Sequence, residues 1–275
     1  MKRITTTFCL LLAAICSMAQ SDLEVGGWKN HFSYRNGLDL QEWDNKMYVV
    51  TANALYTLDL ADGIFHSINV MNGLSDVGLS RLFLDEPTST FLVCYSNSNL
   101  DLYNNGKVCN IPDLKDKQMP GDKSVYNACI SSPYAYLACG FGILVLDLKK
   151  QLVRETWNFQ LQNQIVPVYD VCLLGDTIFA ATSQGIYVNS LSNRRIAQFS
   201  TWEKMADTTL PSLFVVKHMD SYRNSVYAFE EDTWQLYIAE YRHLRYERDI
   251  SCHCLFDISM FRSYNASRFR IRVES

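Results

Sequence analysis

The stretch that decides the fold is "KMYVVTANALYTLDL", residues 46–60, because three later segments repeat its pattern. They are "TFLVCYSNSNLDLYN" from Thr90, "YAYLACGFGILVLDL" from Tyr134 and "DTIFAATSQGIYVNS" from Asp176. Each has an apolar run, a short break of small or polar residues, and a second apolar run. Two sets of equivalent positions give similar steps: 45, 43 and 43 for Leu55, Leu100, Ile143 and Ile186, and 44, 44 and 43 for Tyr48, Leu92, Tyr136 and Phe179. The chain therefore contains an internal repeat of about 44 residues.

Each repeat is predicted to contain a β-hairpin with one further strand on either side. The breaks are rich in Asn, Ser and Gly, which suit tight turns. A strand precedes the hairpin, as in "GLSRLFLD", "VYNACISS" and "VYDVCLLG", and another follows it, as in "GIFHSINV" and "LVRETWNF". Four antiparallel strands repeated every 40 to 45 residues or so are typical of a β-propeller blade. We therefore predict an all-β fold: a β-propeller of four-stranded antiparallel blades, with about four complete repeats plus a partial fifth.

Composition limits the classes of partner. The 275 residues are 48% hydrophobic, which is ample for a buried core, and they carry a formal net charge of -4 with a pI near 5.7. Nucleic-acid binding usually needs a basic surface. We therefore expect no nucleic-acid partner.

The N-terminus, "MKRITTTFCLLLAAICSMAQ", has two basic residues, a short apolar run and the small-x-small sequence Ser17-Met18-Ala19. This pattern is typical of a secretory signal peptide, here assigned to residues 1–19. The apolar run is far shorter than the roughly 20 residues that a membrane-spanning helix needs. A lipoprotein signal is disfavoured because the bulky Ile15 precedes Cys16. We expect an exported chain with no transmembrane segment.

The cysteines give no indication of a disulfide framework. Seven remain after removal of the signal peptide, and an odd number cannot all pair within one chain: Cys94, Cys109, Cys129, Cys139, Cys172, Cys252 and Cys254. Cys129 and Cys172 are 43 residues apart and so occupy equivalent strand positions. Small apolar packing is their expected role.

The ends of the repeat region define the predicted domains. An incomplete propeller is assigned to residues 27–241, where "GWKNHFSY" forms a strand before the first repeat and a fifth repeat begins near Leu213. Residues 242–275 form an Arg-rich tail of different texture, since the chain from Tyr241 holds seven of the fourteen arginines and no lysine. Two interpretations remain for it. It is a genuine basic tail, or it is the end of a chain truncated or frameshifted within a larger, seven-bladed propeller. We favour the second, because a ring with fewer than five full blades is at the low end of the usual range of roughly four to eight.

Candidate chemical groups are few, and each has a structural alternative. Cys252-His253-Cys254 has zinc-ligand residue types but poor spacing for one tetrahedral site. The histidines His31, His66, His218 and His243 stand without a nucleophile motif beside them. Asp59, Asp101 and Asp147 are spaced by 42 and 46 residues, which places them at the ends of equivalent hairpin strands and predicts solvated strand-end or turn-bonding roles. We assign no catalytic, cofactor-binding or metal-binding residue and expect no enzymatic activity and no cofactor. The ligand-binding residues are left unassigned.

The five tryptophans could stack on sugar rings at one face of a propeller. In such folds most tryptophans instead pack between blades, and we choose none of them as a ligand residue. They are Trp28, Trp43, Trp157, Trp202 and Trp234.

The linker "MNGLSDVGLSRLF", residues 71–83, joins the outer strand of one repeat to the inner strand of the next. Its NGLSD sequence, followed by Leu79, Leu82 and Asp85, resembles the two-component-regulator propeller repeat. Together with the signal peptide, "GWKNHFSY" and the first two repeats, residues 27–241 resemble the N-terminal propeller of the PorZ family, accessory proteins of the type IX secretion system of Bacteroidota. The later repeats keep only the hairpin part of the motif.

The resemblance implies a non-enzymatic scaffold, or a component that binds or delivers anionic lipopolysaccharide, in the secretion and attachment machinery. It also implies a sortase-like protease as partner and a location in the periplasm or at the outer-membrane cell surface. An alternative is the periplasmic glycan-sensing propeller of a hybrid two-component system. A third class, a propeller lyase or glycosidase, needs carboxylates that converge on the central channel, and the repeat-equivalent spacing of the aspartates argues against it.

Overall fold

Each predicted hairpin forms the centre of a four-stranded antiparallel sheet in the computed structural model, which describes residues 35–205, 215–222, 225–230, 235–240 and 243–249. Five such sheets, here called blades 1 to 5, follow one another along these residues. The first strands of successive blades contact one another, which places them on the inner side of the assembly. The prediction of an all-β propeller with four-stranded antiparallel blades is confirmed.

The strands are as follows. Blade 1 has β1 (Asp39–Trp43), β2 (Lys46–Thr51), β3 (Ala54–Asp59) and β4 (Phe65–Ile68), and blade 2 has β5 (Leu79–Asp85), β6 (Thr90–Tyr95), β7 (Leu100–Asn104) and β8 (Lys107–Ile111). Blade 3 has β9 (Val125–Ser131), β10 (Tyr134–Cys139), β11 (Gly142–Asp147) and β12 (Leu152–Asn158). A separate two-stranded ribbon, β13 (Gln160–Leu161) and β14 (Gln164–Ile165), follows it. Blade 4 has β15 (Val168–Leu174), β16 (Thr177–Thr182), β17 (Gly185–Ser190) and β18 (Glu203–Lys204), and blade 5 has β19 (His218–Tyr222), β20 (Ser225–Glu230), β21 (Gln235–Glu240) and β22 (His243–Asp249).

Short helical turns complete the elements: one α-helical turn, Asp113–Asp116, and two 3-10 turns, Glu86–Thr88 and Phe199–Thr201. None of the helices in the described part of the chain is long and apolar enough to cross a membrane.

Side chains on the central strands alternate between two neighbouring blades, which explains why the repeats are apolar at nearly every position. In β10, Ala135, Leu137 and Cys139 pack against blade 2. Tyr136 and Ala138 on the same strand pack against blade 4. Successive side chains of a strand point to opposite faces, so both faces of blade 3 are buried. Continuous apolar runs in this chain therefore mark strands between two blades.

Aspartates on the inner strands join one blade to the next. In blade 1, Asp39 Oδ2 accepts a hydrogen bond of 3.0 Å from the backbone N–H of Leu82 in blade 2. In blade 4, Asp170 Oδ2 accepts one of 2.7 Å from Met219 N in blade 5, and Asp170 is fully buried. In both, the other carboxylate oxygen accepts the N–H of the following residue. The two aspartates occupy equivalent positions, since they lie two residues before the partners of Tyr48 and Phe179.

Two features of the fold differ from the sequence prediction. The fifth sheet has four strands, and its outermost strand, β22, consists of residues assigned above to the Arg-rich tail. The ribbon β13–β14 was not predicted at all. The proposed signal peptide, the "GWKNHFSY" strand and residues 250–275 lie outside the described residues, so those assignments stay predictions.

Candidate functional site

One face of the propeller carries both the turns between second and third strands and the linkers between blades; we call it the linker face. Backbone hydrogen bonds join each linker to a turn: Gly78 N donates to Ala52 O (2.8 Å), Ser96 N to Gly78 O (2.7 Å) and Gly140 N to Ser124 O (3.3 Å). The linkers comprise residues 69–78, 112–124 and 159–167. Each of them runs from the last strand of one blade to the first strand of the next.

Side chains of the first linker hold its own backbone in place. Asn72 Oδ1 accepts a hydrogen bond of 2.6 Å from Asn69 N, and Asn72 Nδ2 donates one of 2.7 Å to Ser67 O. Leu74 is 3% exposed and packs between blades 1 and 2. Gly78 has a φ of +78°, and a Cβ there would lie 2.6 Å from Ser96 Oγ. Asn72, Leu74 and Gly78 therefore fix the backbone conformation of the first linker.

A buried carboxylate receives the middle of the same linker. Asp101 on β7 is 0% exposed and accepts hydrogen bonds from Ser75 N (2.9 Å), the Tyr95 hydroxyl (2.5 Å) and Asn110 Nδ2 (2.8 Å). Burial, followed by the hydrogen bond to Asp101, raises the pKa of Tyr95, so the phenol stays a donor. A carboxylate with three donors is satisfied without a ligand.

The last residue of the NGLSD motif joins two linkers. Asp76 Oδ2 lies 2.7 Å from Lys115 Nζ and accepts a hydrogen bond of 2.6 Å from Asn97 Nδ2. The Lys115 hydrogen bond is the largest cause that lowers the pKa of Asp76 to about 2, against a smaller opposing effect of burial. Lys115 lies on the helical turn of the second linker, whose carbonyls Lys115 O and Lys117 O accept hydrogen bonds from Lys123 Nζ. Through Asp76, the motif therefore connects the first linker to the second and has a structural role.

The three aspartates grouped from the sequence have different roles. Asp59 and Asp147 end β3 and β11 and accept backbone hydrogen bonds within the following turns, from Ala61 N (2.9 Å) and Lys150 N (2.8 Å). The turn-bonding prediction is confirmed for both. It is wrong for Asp101, which is the second residue of β7 and points into the interior; the strand register makes Asn104 the residue equivalent to Asp59 and Asp147. The prediction for Asp101 failed because the spacing was counted along the sequence without the strand register.

The other groups considered above are placed as follows. Trp157 and Trp202 are 4% and 6% exposed and pack between blades 3 and 4 with ring centroids 6.1 Å apart, and Trp43 packs between blades 1 and 2. This confirms the packing role for these three. Cys129 and Cys172 lie on inner strands, and Cys172 is buried as expected. Cys94, Cys109, Cys139 and Cys172 are free thiols. Trp28, Trp234, His31 and the Cys252–Cys254 cluster lie outside the described residues.

The third linker carries an exposed ribbon on a buried base. All six residues 160–165, "QLQNQI", are exposed, and Gln162 and Asn163 at the tip have left-handed φ values of 48° and 64°. At the base, Phe159 N donates to Phe141 O (3.0 Å) and Val166 N to Phe159 O (2.9 Å). Phe159 is 1% exposed. The ribbon therefore projects from the linker face on a fixed foundation.

Two tyrosines lie beside the ribbon at equivalent starts of inner strands. Tyr126 and Tyr169 are partly exposed, with ring centroids 5.5 Å apart and an interplanar angle of 55°. The Tyr126 hydroxyl donates to Asp122 Oδ2 at 2.5 Å, and Asp122 Oδ1 accepts hydrogen bonds from Ser124 N and Oγ at 2.8 and 2.6 Å. Burial alone would raise the pKa of Asp122, but the hydrogen bonds from Ser124 and Tyr126 outweigh it and lower the pKa.

These residues form one continuous surface. A Cβ on Gly121, next to Asp122, would lie 2.9 Å from Ile165 Cδ1, so the second linker contacts the ribbon. We call the set Gly121, Asp122, Tyr126, residues 160–165 and Tyr169 the ribbon patch. Its residues were not among the candidates chosen from the sequence, although a 43-residue step between Tyr126 and Tyr169 matches the repeat. Among the described residues, no three His, Cys, Asp or Glu side chains group as metal ligands.

A comparison with protein-family models matches residues 47–203 to the family of the N-terminal β-propeller domain of PorZ from the type IX secretion system. The match runs from β2 to β18 and takes in more than half of the 275 residues. The chain belongs to this family. The family resemblance inferred from the sequence is therefore confirmed. No curated protein sequence matches the chain.

Solved structures share the fold. PorZ of Porphyromonas gingivalis, described as an essential surface component of the type IX secretion system, aligns with a TM-score of 0.69 at 22% identity over 78% of this chain and 28% of that one. The extracellular domain of the putative hybrid two-component system BT4673 of B. thetaiotaomicron aligns with a TM-score of 0.55 at 14% identity, over 69% of this chain and 25% of that one. This chain thus spans less than a third of either protein.

Proposed function

We propose that the chain is an exported, non-enzymatic propeller that acts as a scaffold, or as a glycolipid-binding and delivery component, of the type IX secretion and attachment machinery. The observation that supports this most is the match of blades 1 to 4 to the PorZ propeller family. The proposed partners are a sortase-like protease of the attachment complex and anionic lipopolysaccharide. The proposed location is the periplasm or the outer-membrane cell surface.

The geometry is compatible with a rigid binding module. Asp39, Asp101 and Asp170 accept hydrogen bonds from the backbone of neighbouring segments. Linkers joined to turns by hydrogen bonds keep the linker face in one shape, and a preorganised surface loses less entropy on binding. The face then offers side chains for recognition on a fixed frame.

The proposal is tested with the mature full chain and two probes. The chain is immobilised, and binding of purified anionic lipopolysaccharide and of the sortase-like protease is measured by biolayer interferometry. A lipopolysaccharide preparation from a strain without the anionic polysaccharide is the matched control. We expect saturable binding of the anionic form or of the protease. Binding of neither probe would remove the proposal.

A second candidate function is a glycan-sensing propeller of a hybrid two-component system. It is suggested by the structural likeness to the extracellular domain of BT4673. At 14% identity this likeness concerns the fold alone, and the family match favours the secretion role. The genomic sequence beyond the codon for Ser275 separates the two, because a sensor requires a transmembrane helix and a kinase domain downstream, whereas the secretion role requires further propeller repeats and a C-terminal sorting domain.

A further inference from the structure

We infer that the ribbon patch is a binding site for an uncharged segment of polysaccharide, which rests on the proposed glycolipid-binding function and assigns the sugar chain, not the anionic groups, to this surface. The patch is continuous: Tyr169 contacts Tyr126, Tyr126 donates to Asp122, and Gly121 contacts Ile165 of the ribbon. It lies on the linker face between blades 3 and 4. Both its aromatic and its amide groups are open to solvent to some degree.

The side-chain chemistry of the patch suits sugars. A pyranose ring has an apolar face of C–H groups, which packs on the electron-rich face of an aromatic ring, and its hydroxyls need both donors and acceptors. The two tyrosine rings supply the first requirement. The amides of Gln160, Gln162, Asn163 and Gln164 supply the second, since each has two N–H donors and a carbonyl acceptor. Leu161 and Ile165, 42% and 38% exposed, add apolar contact area between these amides.

The charge of the patch favours an uncharged ligand. It contains no Lys or Arg, and its one acidic group, Asp122, is kept ionised by hydrogen bonds from Ser124 and Tyr126. The nearby Lys123 is occupied with carbonyls of the second linker. A phosphate or uronate at this place would face a carboxylate without a cation to balance it, and such like-charge contacts are unfavourable.

The ribbon is poorly suited to pairing with another protein strand. Its strands β13 and β14 have two residues each, whereas strand addition to a sheet edge depends on a row of backbone hydrogen bonds. Its base is fixed by Phe159, whose ring lies 4.7 Å from that of Phe199 and 4.8 Å from that of Trp202. A short, rigid, amide-rich projection beside two tyrosines suits the binding of a polysaccharide, which presents many hydroxyl groups.

The test uses lipid-free polysaccharide released from the lipopolysaccharide of the source strain by mild acid and separated into uncharged and anionic fractions by anion exchange. Each fraction is titrated into the mature full chain by isothermal calorimetry. The variants are Tyr169→Ala, which removes the aromatic ring that packs beside Tyr126, and Tyr103→Ala on blade 2 as a matched control. Circular dichroism confirms that each variant is folded. A third variant, Gln160→Ala with Gln164→Ala, tests the amides without touching a ring.

We expect the uncharged fraction to bind, Tyr169→Ala to weaken binding by about tenfold, and Tyr103→Ala to leave it unchanged. If the anionic fraction or intact lipopolysaccharide binds and Tyr169→Ala has no effect, the inference is overturned while the proposed function stands. If the protease binds but no polysaccharide does, only the scaffold half of the proposed function survives and the inference is overturned. If neither binds, both fail. If Tyr169→Ala does not fold, the double glutamine variant decides in the same way.

Discussion

Single carboxylates join separate parts of the backbone at several points in this molecule. Asp39 and Asp170 each accept an N–H from the next blade, and Asp101 accepts Ser75 N from the linker that precedes its own blade. Hydrogen bonds to ionised groups are stronger than those between neutral groups. Removal of Asp39 or Asp170 would leave the N–H of a buried residue, Leu82 or Met219, without that acceptor. These residues are therefore expected to contribute more to stability than their number suggests.

Substitution Asp170→Ala is expected to lower the free energy of unfolding by about 3 kcal/mol, because the buried N–H groups of Val171 and Met219 lose their acceptor. Urea denaturation followed by tryptophan fluorescence measures the change. Asp170→Asn is the matched control, since its amide oxygen can still accept one of the two bonds, and a loss of about 1 kcal/mol is expected. An alanine variant as stable as the wild type would contradict the assigned role.

Asp76 is expected to make stability depend on pH in the acid range. Its pKa is about 2 in the folded chain, against about 3.9 in an unfolded one. A lowered carboxyl pKa gives a stabilisation that is complete above about pH 4 and is lost as the pH falls from there towards about 2. Thermal unfolding midpoints at several pH values should therefore show the difference between wild type and Asp76→Asn shrinking over that range. If the difference in unfolding midpoint stays constant over this pH range, Asp76 does not cause the pH dependence of stability.

Among the elements, the hairpins were predicted best from the sequence, and the segments between the blades were predicted least well. The hairpins were predictable because both faces of their strands are buried, so apolar residues fill nearly every position and turn residues punctuate them. The inner-strand aspartates were missed because Arg81 and Asn127 occupy the equivalent positions in blades 2 and 3. The ribbon was missed because two-residue strands of Gln, Leu and Ile carry no periodicity. The patch depends on a contact between two linkers, which spacing along one chain does not reveal.

Gly142 sets how β11 and β12 come together, and alanine there is expected to disrupt blade 3. Its φ is +136°, and a Cβ would lie 2.1 Å from the carbonyl oxygen of Trp157. We expect Gly142→Ala to lower the free energy of unfolding by roughly 3 kcal/mol or more, since backbone must move. Gly106→Ala is the control, because Gly106 also has a positive φ (+80°) but has open space around it, and about 1 kcal/mol is expected. Equal losses in urea denaturation would show that the close contact has no effect.

At the scale of the whole molecule, stability resides mainly in the contacts between blades. Four clusters of buried side chains lie between consecutive blades: blades 1 and 2, 2 and 3, 3 and 4, and 4 and 5. Since each sheet has four strands and little interior of its own, the apolar area that it removes from water is shared with its neighbours. The inter-blade surfaces are thus the hydrophobic core of the described residues.

Truncation of a side chain between blades is therefore expected to cost far more than truncation on an outer strand. Leu137 on β10 is 0% exposed between blades 2 and 3, whereas Leu152 on β12 is 43% exposed. We expect Leu137→Ala to lower the free energy of unfolding by about 2–5 kcal/mol and Leu152→Ala by less than about 1 kcal/mol. Chemical denaturation of the two variants gives the comparison. Similar losses would contradict the assignment of the hydrophobic core to the surfaces between blades.

The alternation of side chains between two neighbours also has a consequence for biosynthesis. A blade that has just emerged from the ribosome can cover only the face that meets the preceding blade, because the residues that cover its other face belong to the repeat still being translated. Each blade thus presents an uncovered apolar sheet for a few seconds at ordinary rates of translation. An uncovered apolar face therefore arises once for every repeat, and it disappears only when the following repeat has been added.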